Sequence, residues 1–343
     1  MKNNNHHELV VYEDEHVMAV DKVSTMPIHP CGAYHFNTLC NTLPNVVFPI
    51  HRLDRLTSGI VVLAKSKQVA ASLSSYFSQQ PTRCHKYYLA QVHGQFPMSL
   101  TTTTTTSNIP KNNDSYWIQT NKTGKRSSLD AFVTSSKHSI VSLLQDSHDD
   151  DDDDSLWLYV DRPLRPSSYK DGTWKCCSDS DTDGKSAKTA FGIVSHDEKS
   201  NTTLVIAKPI TGRTHQIRLH LQYLGHSILY DDVYPQTQNH TTTHAPNHVP
   251  VTIQDLQNIT PPKNSTSSNN DLLQHVQQSC VWCAKEKTQT NIVDNFLQQN
   301  QGIHLHALKY HIPNWVPPNS ANNIPKDLNL YTKLPKWAIE HSS

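Results

Sequence analysis

The stretch His51-Arg52-Leu53-Asp54-Arg55-Leu56-Thr57-Ser58-Gly59 runs straight into Ile60-Val61-Val62-Leu63-Ala64, and its reading decides that of the whole 343-residue chain. The apolar run has the length and β-branched content of a strand buried on both faces. Just ahead of it a single carboxylate, Asp54, stands between Arg52 and Arg55. A carboxylate flanked by cations is held in its charged form. That suits a nucleophile or an electrostatic catalyst rather than a proton donor. In an extended segment residues two apart point the same way, so Arg52 and Asp54 are expected to share one cleft. Taken alone, the motif fits a surface charge cluster equally well, and its companions decide between the two.

Upstream, Leu9-Val10-Val11-Tyr12 and Val17-Met18-Ala19-Val20-Asp21-Lys22 flank the polar turn 13–16, which predicts a hairpin. Downstream, residues 66–77 place Val69, Leu73, Tyr76 and Phe77 at helical spacing, with Ser66 and Lys67 as cap and first turn. The segment 86–92 is aromatic and β-branched and reads as a strand. Thr203-Leu204-Val205-Ile206-Ala207 reads as another. Residues 215–224 read as a helix with Ile217, Leu221 and Leu224 on one face. Residues 303–310 read as a late strand or the start of a helix.

Composition explains the gaps between these blocks. The hydrophobic fraction is 36% and mean hydropathy is −0.59, low for a compact enzyme of this length. The formal net charge is zero, yet residues 140–185 carry 12 acidic and 5 basic side chains, so the remainder is net basic. A basic body is compatible with RNA binding. A six-threonine run (101–106), a six-aspartate run (149–154) and a Gln/Asn/Thr/Ser/His-rich stretch mark three expected disordered insertions, 99–115, 140–185 and 236–301. Such segments bury too little apolar surface to offset chain entropy. Residues 9–311 are expected to form one domain around them, and 312–343 a Pro/Asn-rich tail. No run approaches the ~20 apolar residues that cross a bilayer. The first eight residues lack the apolar stretch of a signal peptide. The seven scattered cysteines are therefore expected to be reduced thiols in an intracellular protein, compartment unresolved. A monomer is expected.

Three further clusters carry chemistry. Lys86-Tyr87-Tyr88 offers an aromatic ring that can stack on a base, and strand alternation lets only one of the two tyrosines line a given cleft. Thr211-Gly212-Arg213-Thr214-His215-Gln216-Ile217-Arg218 reads as a strand ending at a glycine and entering a helix that carries Arg213 and Arg218. Guanidinium groups pair bidentately with carboxylate or phosphate, so one arginine is a candidate to hold Asp54 and others to take RNA phosphates. The plain alternative is a solvent-facing basic helix. Cys280-Val281-Trp282-Cys283 supplies half a zinc site, with His304, His306, Cys176 and Cys177 as candidate completing ligands. The missing second pair makes no metal the preferred reading.

Read in order, these blocks resemble the RluA family of RNA pseudouridine synthases, in the eukaryotic branch that modifies tRNA. His51-Arg52-Leu53-Asp54-Arg55-Leu56-Thr57-Ser58-Gly59 is similar to its central motif, with Asp54 on the catalytic aspartate. Residues 13–22 resemble its opening strand pair, and Pro27-Ile28-His29-Pro30 followed by Asn37-Thr38-Leu39 the stretch typical of enzymes for uridine 32 of tRNA. Lys86-Tyr87-Tyr88 resembles the K-x-Y motif, with Tyr88 on its tyrosine. Gly212-Arg213-Thr214-His215-Gln216-Ile217-Arg218 resembles G-R-T-H-Q-I-R, with Arg218 on the arginine that pairs with the aspartate. Ala187-Lys188-Thr189-Ala190-Phe191 and Leu305-His306-Ala307 resemble two closing blocks. The resemblance implies an α/β (α+β) fold, a mixed, mainly antiparallel sheet with flanking helices and a central catalytic cleft. It implies isomerisation of uridine to pseudouridine in RNA, tRNA first, without a cofactor. Asp54, Tyr88 and Arg218 would be catalytic, and Arg52, Arg55, Lys86, Arg213 and His215 would contact RNA. An rRNA or mRNA synthase, or an inactive RNA-binding protein on the same fold, are the alternatives. A riboflavin-pathway deaminase would need H-x-E and P-C-x-x-C. Cys280, however, follows Ser279, and His6-His7-Glu8 meets the first pattern only formally.

Overall fold

In the computed structural model the described residues are 9–30, 38–79, 84–97, 116–120, 123, 125–127, 131–132, 138–144, 155–178, 180–236, 302–318 and 324–341. The expected hairpin forms from β1 (Val10–Glu13) and β2 (Val17–Lys22). After the two-residue β3 (Phe48–Pro49) comes β4 (Ser58–Ala64), whose apolar run is buried on both faces. The helix Lys67–Gln79 follows, with Ser66 Oγ accepting the Val69 N–H at its start. Then come β5 (His85–His93), β6 (Tyr116–Thr120), β7 (Arg126–Ser127), β8 (Leu156–Asp161), β9 (Leu164–Ser168), β10 (Thr173–Cys176), β11 (Lys188–Asp197), β12 (Thr202–Pro209), the helix Gln216–Tyr223, β13 (Leu305–Trp315), β14 (Lys326–Tyr331) and the helix Lys336–His341.

One sheet runs β1-β2-β4-β13-β5-β12-β11-β8-β6-β7, with β3 added to β4 and β14 to β13. Its pairings are antiparallel except β4 with β13, where His306 faces Ser58 and Ala307 faces Gly59. This is the mixed, mainly antiparallel sheet expected. The parallel contact is tight. Gly59 has φ +108°, and a Cβ there would lie 2.2 Å from the Ala307 carbonyl oxygen, so only glycine fits. It is two residues from the end of the Asp54 loop.

Alternation along β5 divides the core. Tyr88, Ala90 and Val92 join the larger cluster on one face, with Ile217, Leu221 and Leu224 of the later helix and Val69 and Leu73 of the earlier one. Tyr87 and Leu89 join a second cluster on the other face, covered by Ile140, Leu143, Leu144, Trp337 and Ala338.

Three expectations need correction. Residues 140–185 are not one disordered insertion. Residues 140–144 are helical and β8 pairs with β11, burying Leu156, Trp157 and Leu158. The antiparallel β9–β10 hairpin packs Leu164 and Trp174 against Leu219 and Tyr234. The aspartate run dominated the composition of a window in which β8 alone is apolar and β9 and β10 are short and mostly polar. Nor is 312–343 only a tail. β13 runs on to Trp315, and β14 buries Leu328 and Leu330 against it. The strand β12 ends at Pro209, and Arg213 lies in the turn ahead of the helix rather than on it. The proposed insertion 99–115 and residues 237–301 of the third, with Cys280 and Cys283, lie outside the described residues.

Candidate active site

The Asp54 loop is held from beneath. Leu53 and Thr57 are buried, and the Thr57 N–H donates to the Asp54 carbonyl at 3.1 Å. Ser24 Oγ donates to the Leu56 carbonyl at 2.6 Å. The fully buried Lys22 ammonium spends its three protons on the carbonyls of Val23 (3.0 Å), Met26 (2.9 Å) and Arg55 (3.2 Å). Burial pushes the Lys22 pKa down to about 7, against the pull of the Asp54 charge. His51 Nε2 accepts the Val62 N–H at 3.0 Å and fastens the start of the loop to β4. Burial, with the nearby Lys86 charge, holds His51 neutral by lowering its pKa to about 3.

The turn 211–215 and the helix Gln216–Tyr223 form the opposite wall. The Gln216 amide uses all its capacity. Its oxygen accepts from Thr211 Oγ1 (2.7 Å) and the Arg213 N–H (3.0 Å), and its nitrogen donates to the Lys188 carbonyl and Thr189 Oγ1 (both 2.9 Å). The helix start is thereby pinned to β11. One residue earlier, His215 sits in the left-handed region at φ +57°.

Arg218 is 3% exposed and carries the principal charge contacts. Its Nη1 donates to Asp54 Oδ2 at 3.2 Å. Its Nε and Nη2 fork onto Asp231 Oδ2 and Oδ1 at 2.7 and 2.8 Å. Asp231 Oδ1 also accepts the N–H groups of Val233 and Tyr234 at 3.2 Å. Burial alone would favour a neutral guanidine, but Asp231 and Asp54 outweigh it and raise the pKa further. The helix is thus no solvent-facing basic helix. His215 Nε2 lies 3.6 Å from Asp54 Oδ2.

The third wall is aromatic. Tyr88 and Tyr310 join hydroxyl to hydroxyl at 2.7 Å. The Tyr310 ring packs on His51 at 4.8 Å. Burial raises the phenol pKa of Tyr88, and the Asp54 charge adds to the rise, so the two groups sense each other.

Among the residues expected to touch RNA, Arg52 and Arg55 are exposed beside Asp54. Arg213 is exposed, with Nε donating to the Ser186 carbonyl at 2.9 Å. Lys86 instead turns its ammonium onto the Phe77 ring at 4.7 Å, and His215 turns toward Asp54. The sequence reading missed Asp231, Tyr310 and Tyr234 and gave Lys22 no site role. Their only signals were an acidic pair and a tyrosine in one turn (Asp231, Tyr234) and residues inside apolar strands (Lys22, Tyr310), which spacing does not distinguish from scaffold. Two of the candidate zinc ligands are otherwise engaged. His304 bonds Gln91 at 2.7 Å and stacks on Trp337, and His306 bridges Ser58 (2.9 Å) and Thr332 (2.6 Å). Among the described residues no three His, Cys, Asp or Glu side chains cluster to hold a metal. Nor, among the described residues, is any helix long and apolar enough to cross a membrane.

Residues 16–223 match the RNA pseudouridylate synthase family. The chain is 32% identical over 229 residues to the tRNA pseudouridine(32) synthase, mitochondrial, of Saccharomyces cerevisiae, covering 66% of this chain and 36% of that protein. It is 31% identical over 228 residues to the tRNA pseudouridine(31) synthase of the same yeast, covering 66% and 46%. It is 30% identical over 227 residues to human Pseudouridylate synthase RPUSD2, covering 65% and 30%. The chain therefore spans less than half the length of each of these relatives. Among solved structures it is similar to Human RNA Pseudouridylate Synthase Domain Containing 4, with a TM-score of 0.48 and 18% identity, covering 98% of this chain and 92% of that one. A match that spans more than half of the chain and takes in Asp54, Tyr88 and Arg218 makes this chain a member of the RNA pseudouridylate synthase family, isomerases that convert uridine to pseudouridine in RNA.

Proposed function

We propose that this chain isomerises uridine to pseudouridine in tRNA, in the anticodon loop at or beside position 32. The observation that carries the reading is the clamp on Asp54. Arg218 is fixed by a bidentate bond to Asp231 and holds Asp54 through Oδ2 alone. Among the described residues no side chain takes Oδ1, which is left for the substrate. The two yeast relatives named for tRNA positions 31 and 32 support tRNA as the substrate.

In the reaction the N1–C1′ bond breaks, the uracil turns, and C5 bonds to C1′. C5 loses a proton and N1 gains one, so atoms and electrons balance without a cofactor. The target base must first leave its stack, at a cost of a few kcal/mol that is smallest in a loop. The exposed Arg52 would fill the vacated space and hold phosphate. Asp54 Oδ1 would act at the sugar, at C1′ or C2′. The Arg218 guanidinium is already in place, so orienting the carboxylate costs no reorganisation during the reaction. Tyr88 would stack on the uracil and assist loss of the C5 proton.

The test maps pseudouridine by carbodiimide labelling in total RNA from cells with and without the gene, rescued by wild type or by Asp54→Asn. Loss of a tRNA site in the anticodon loop, restored by wild type only, is the expected result. A lost rRNA or mRNA site would move the substrate. No lost site, or rescue by the variant, would overturn the reading.

A further inference from the structure

His215 and Tyr234 lie beside Asp54 on the same side as Arg218. The Tyr234 hydroxyl lies between two partners. The Trp174 backbone N–H, from β10, donates to its oxygen at 2.9 Å. On the other side His215 Nδ1 is 2.7 Å away. A phenol has one proton, and Trp174 needs only the oxygen's lone pair, so that proton is available to His215 Nδ1. An imidazole that accepts at Nδ1 carries its own proton at Nε2. That atom faces Asp54 Oδ2 at 3.6 Å, a separation that a small shift of the carboxylate closes into a hydrogen bond. Burial favours the neutral ring, against the charges of Asp54 and Asp231 and with those of Arg218 and Arg52.

Two further features show that this geometry is imposed. His215 keeps φ +57°, in the left-handed region that is uncommon for a residue with a Cβ. Tyr234 is 5% exposed, and its ring also lies 4.7 Å from the Arg218 guanidinium carbon, so it packs against both groups that face Asp54 Oδ2. The β9–β10 hairpin anchors it through Trp174.

We propose that His215 is a positioning residue whose Nε2–H, oriented by the Tyr234 hydroxyl, holds Asp54 Oδ2 so that Oδ1 faces the sugar. This replaces the expectation that His215 contacts RNA, and it rests on the reading of Asp54 as the catalytic carboxylate.

The test uses the full chain and tRNA transcripts carrying [5-3H]uridine, with tritium release as the rate. His215→Asn keeps a side chain that tolerates the left-handed backbone but does not reach Asp54. Its kcat should fall on the order of tenfold or more, as for displaced catalytic groups, with KM and melting temperature near wild type. His215→Gln carries an amide nitrogen out to the place of Nε2 and should restore most of the loss. Tyr234→Phe should lower kcat about tenfold by releasing the tautomer. In the His215→Asn background the same change should cost nothing more. A raised KM at constant kcat would return His215 to RNA contact and overturn the proposal. So would His215→Asn at wild-type rate with His215→Gln impaired, because the backbone conformation would then be the whole role. Absence of tritium release by wild type would overturn the activity reading itself. Release by wild type with equal kcat in all three variants would overturn this proposal alone.

Discussion

Two buried cations flank the Asp54 loop, and the protein holds them in opposite ways. Arg218, on the helix wall, is met by two carboxylates and keeps its charge at every working pH. Lys22, at the end of β2, donates its three protons to carbonyl oxygens and has its pKa pushed down to about 7 by burial. The chemistry of the head groups explains the division. A guanidinium is planar and forked, so it fixes a carboxylate in one orientation. An ammonium is a point charge with three donors, suited to gathering three carbonyls that arrive from different directions. Arg218 therefore aims the carboxylate, and Lys22 shapes the loop that carries it.

The largest effect should come from the arginine wall. Arg218→Ala leaves Asp231, whose side chain is 1% exposed, as an unpaired buried charge. Unfolding in urea should show a loss of about 3–5 kcal/mol, and tritium release should vanish. A loss under about 1 kcal/mol would mean that the clamp is not held as described.

Lys22→Met should cost less, roughly 1–3 kcal/mol, since three carbonyls lose a neutral-to-charged bond rather than a partner of opposite charge. Its distinctive signature is in pH. The unfolded amine keeps its proton up to about 10.5, and the folded one releases it near 7. Between those values the unfolded state binds more protons at this site, so Lys22 should make stability rise with pH by at most about 1.4 kcal/mol per unit, read between pH 7 and about 9, below the range where the buried Cys84 and Cys176 thiols, raised to about 12, act in the opposite sense. Below pH 7 the burial penalty is complete. Lys22→Met should abolish that slope, and an unchanged slope in the variant would assign it to another group. The Arg218 clamp should contribute none of it.

Tyr310→Phe removes one hydroxyl from the aromatic wall and should cost about 1 kcal/mol, read from the urea midpoint. The smallest change in stability, within about 0.5 kcal/mol, is expected for the exposed Arg52→Ala. Its effect should appear in RNA affinity. The slope of log binding constant against log salt should fall by about one phosphate contact. An unaltered slope would remove Arg52 from the RNA surface.

Local pattern made much of this molecule legible in advance. Strands and helices announce themselves by periods of two and 3.6 residues, and those periods need no knowledge of partners. Hence β2, β4, β5 and the helix Lys67–Gln79 were readable, as was the separation of Tyr87 from Tyr88 onto opposite faces. Composition misled where one biased run dominated its window. The six aspartates concealed β8 and the β9–β10 hairpin, and prolines and asparagines concealed the alternation of Leu328 and Leu330 in β14.

The sequence by itself determined the strand and helix cores, the charged motif around Asp54 and, through the order of its motifs, the family. Tertiary structure alone decided what supports Asp54 beyond its flanking arginines and Arg218. Asp231 reaches Arg218 from a turn 13 residues on, and Tyr310 meets Tyr88 across 222 residues. Lys22 gathers a carbonyl from 33 residues away. Contacts of this kind arise when distant segments are packed side by side, and no local period encodes them. They were left unread because burial converts an ordinary aspartate, lysine or tyrosine into a fixed electrostatic element, and burial is a property of the fold.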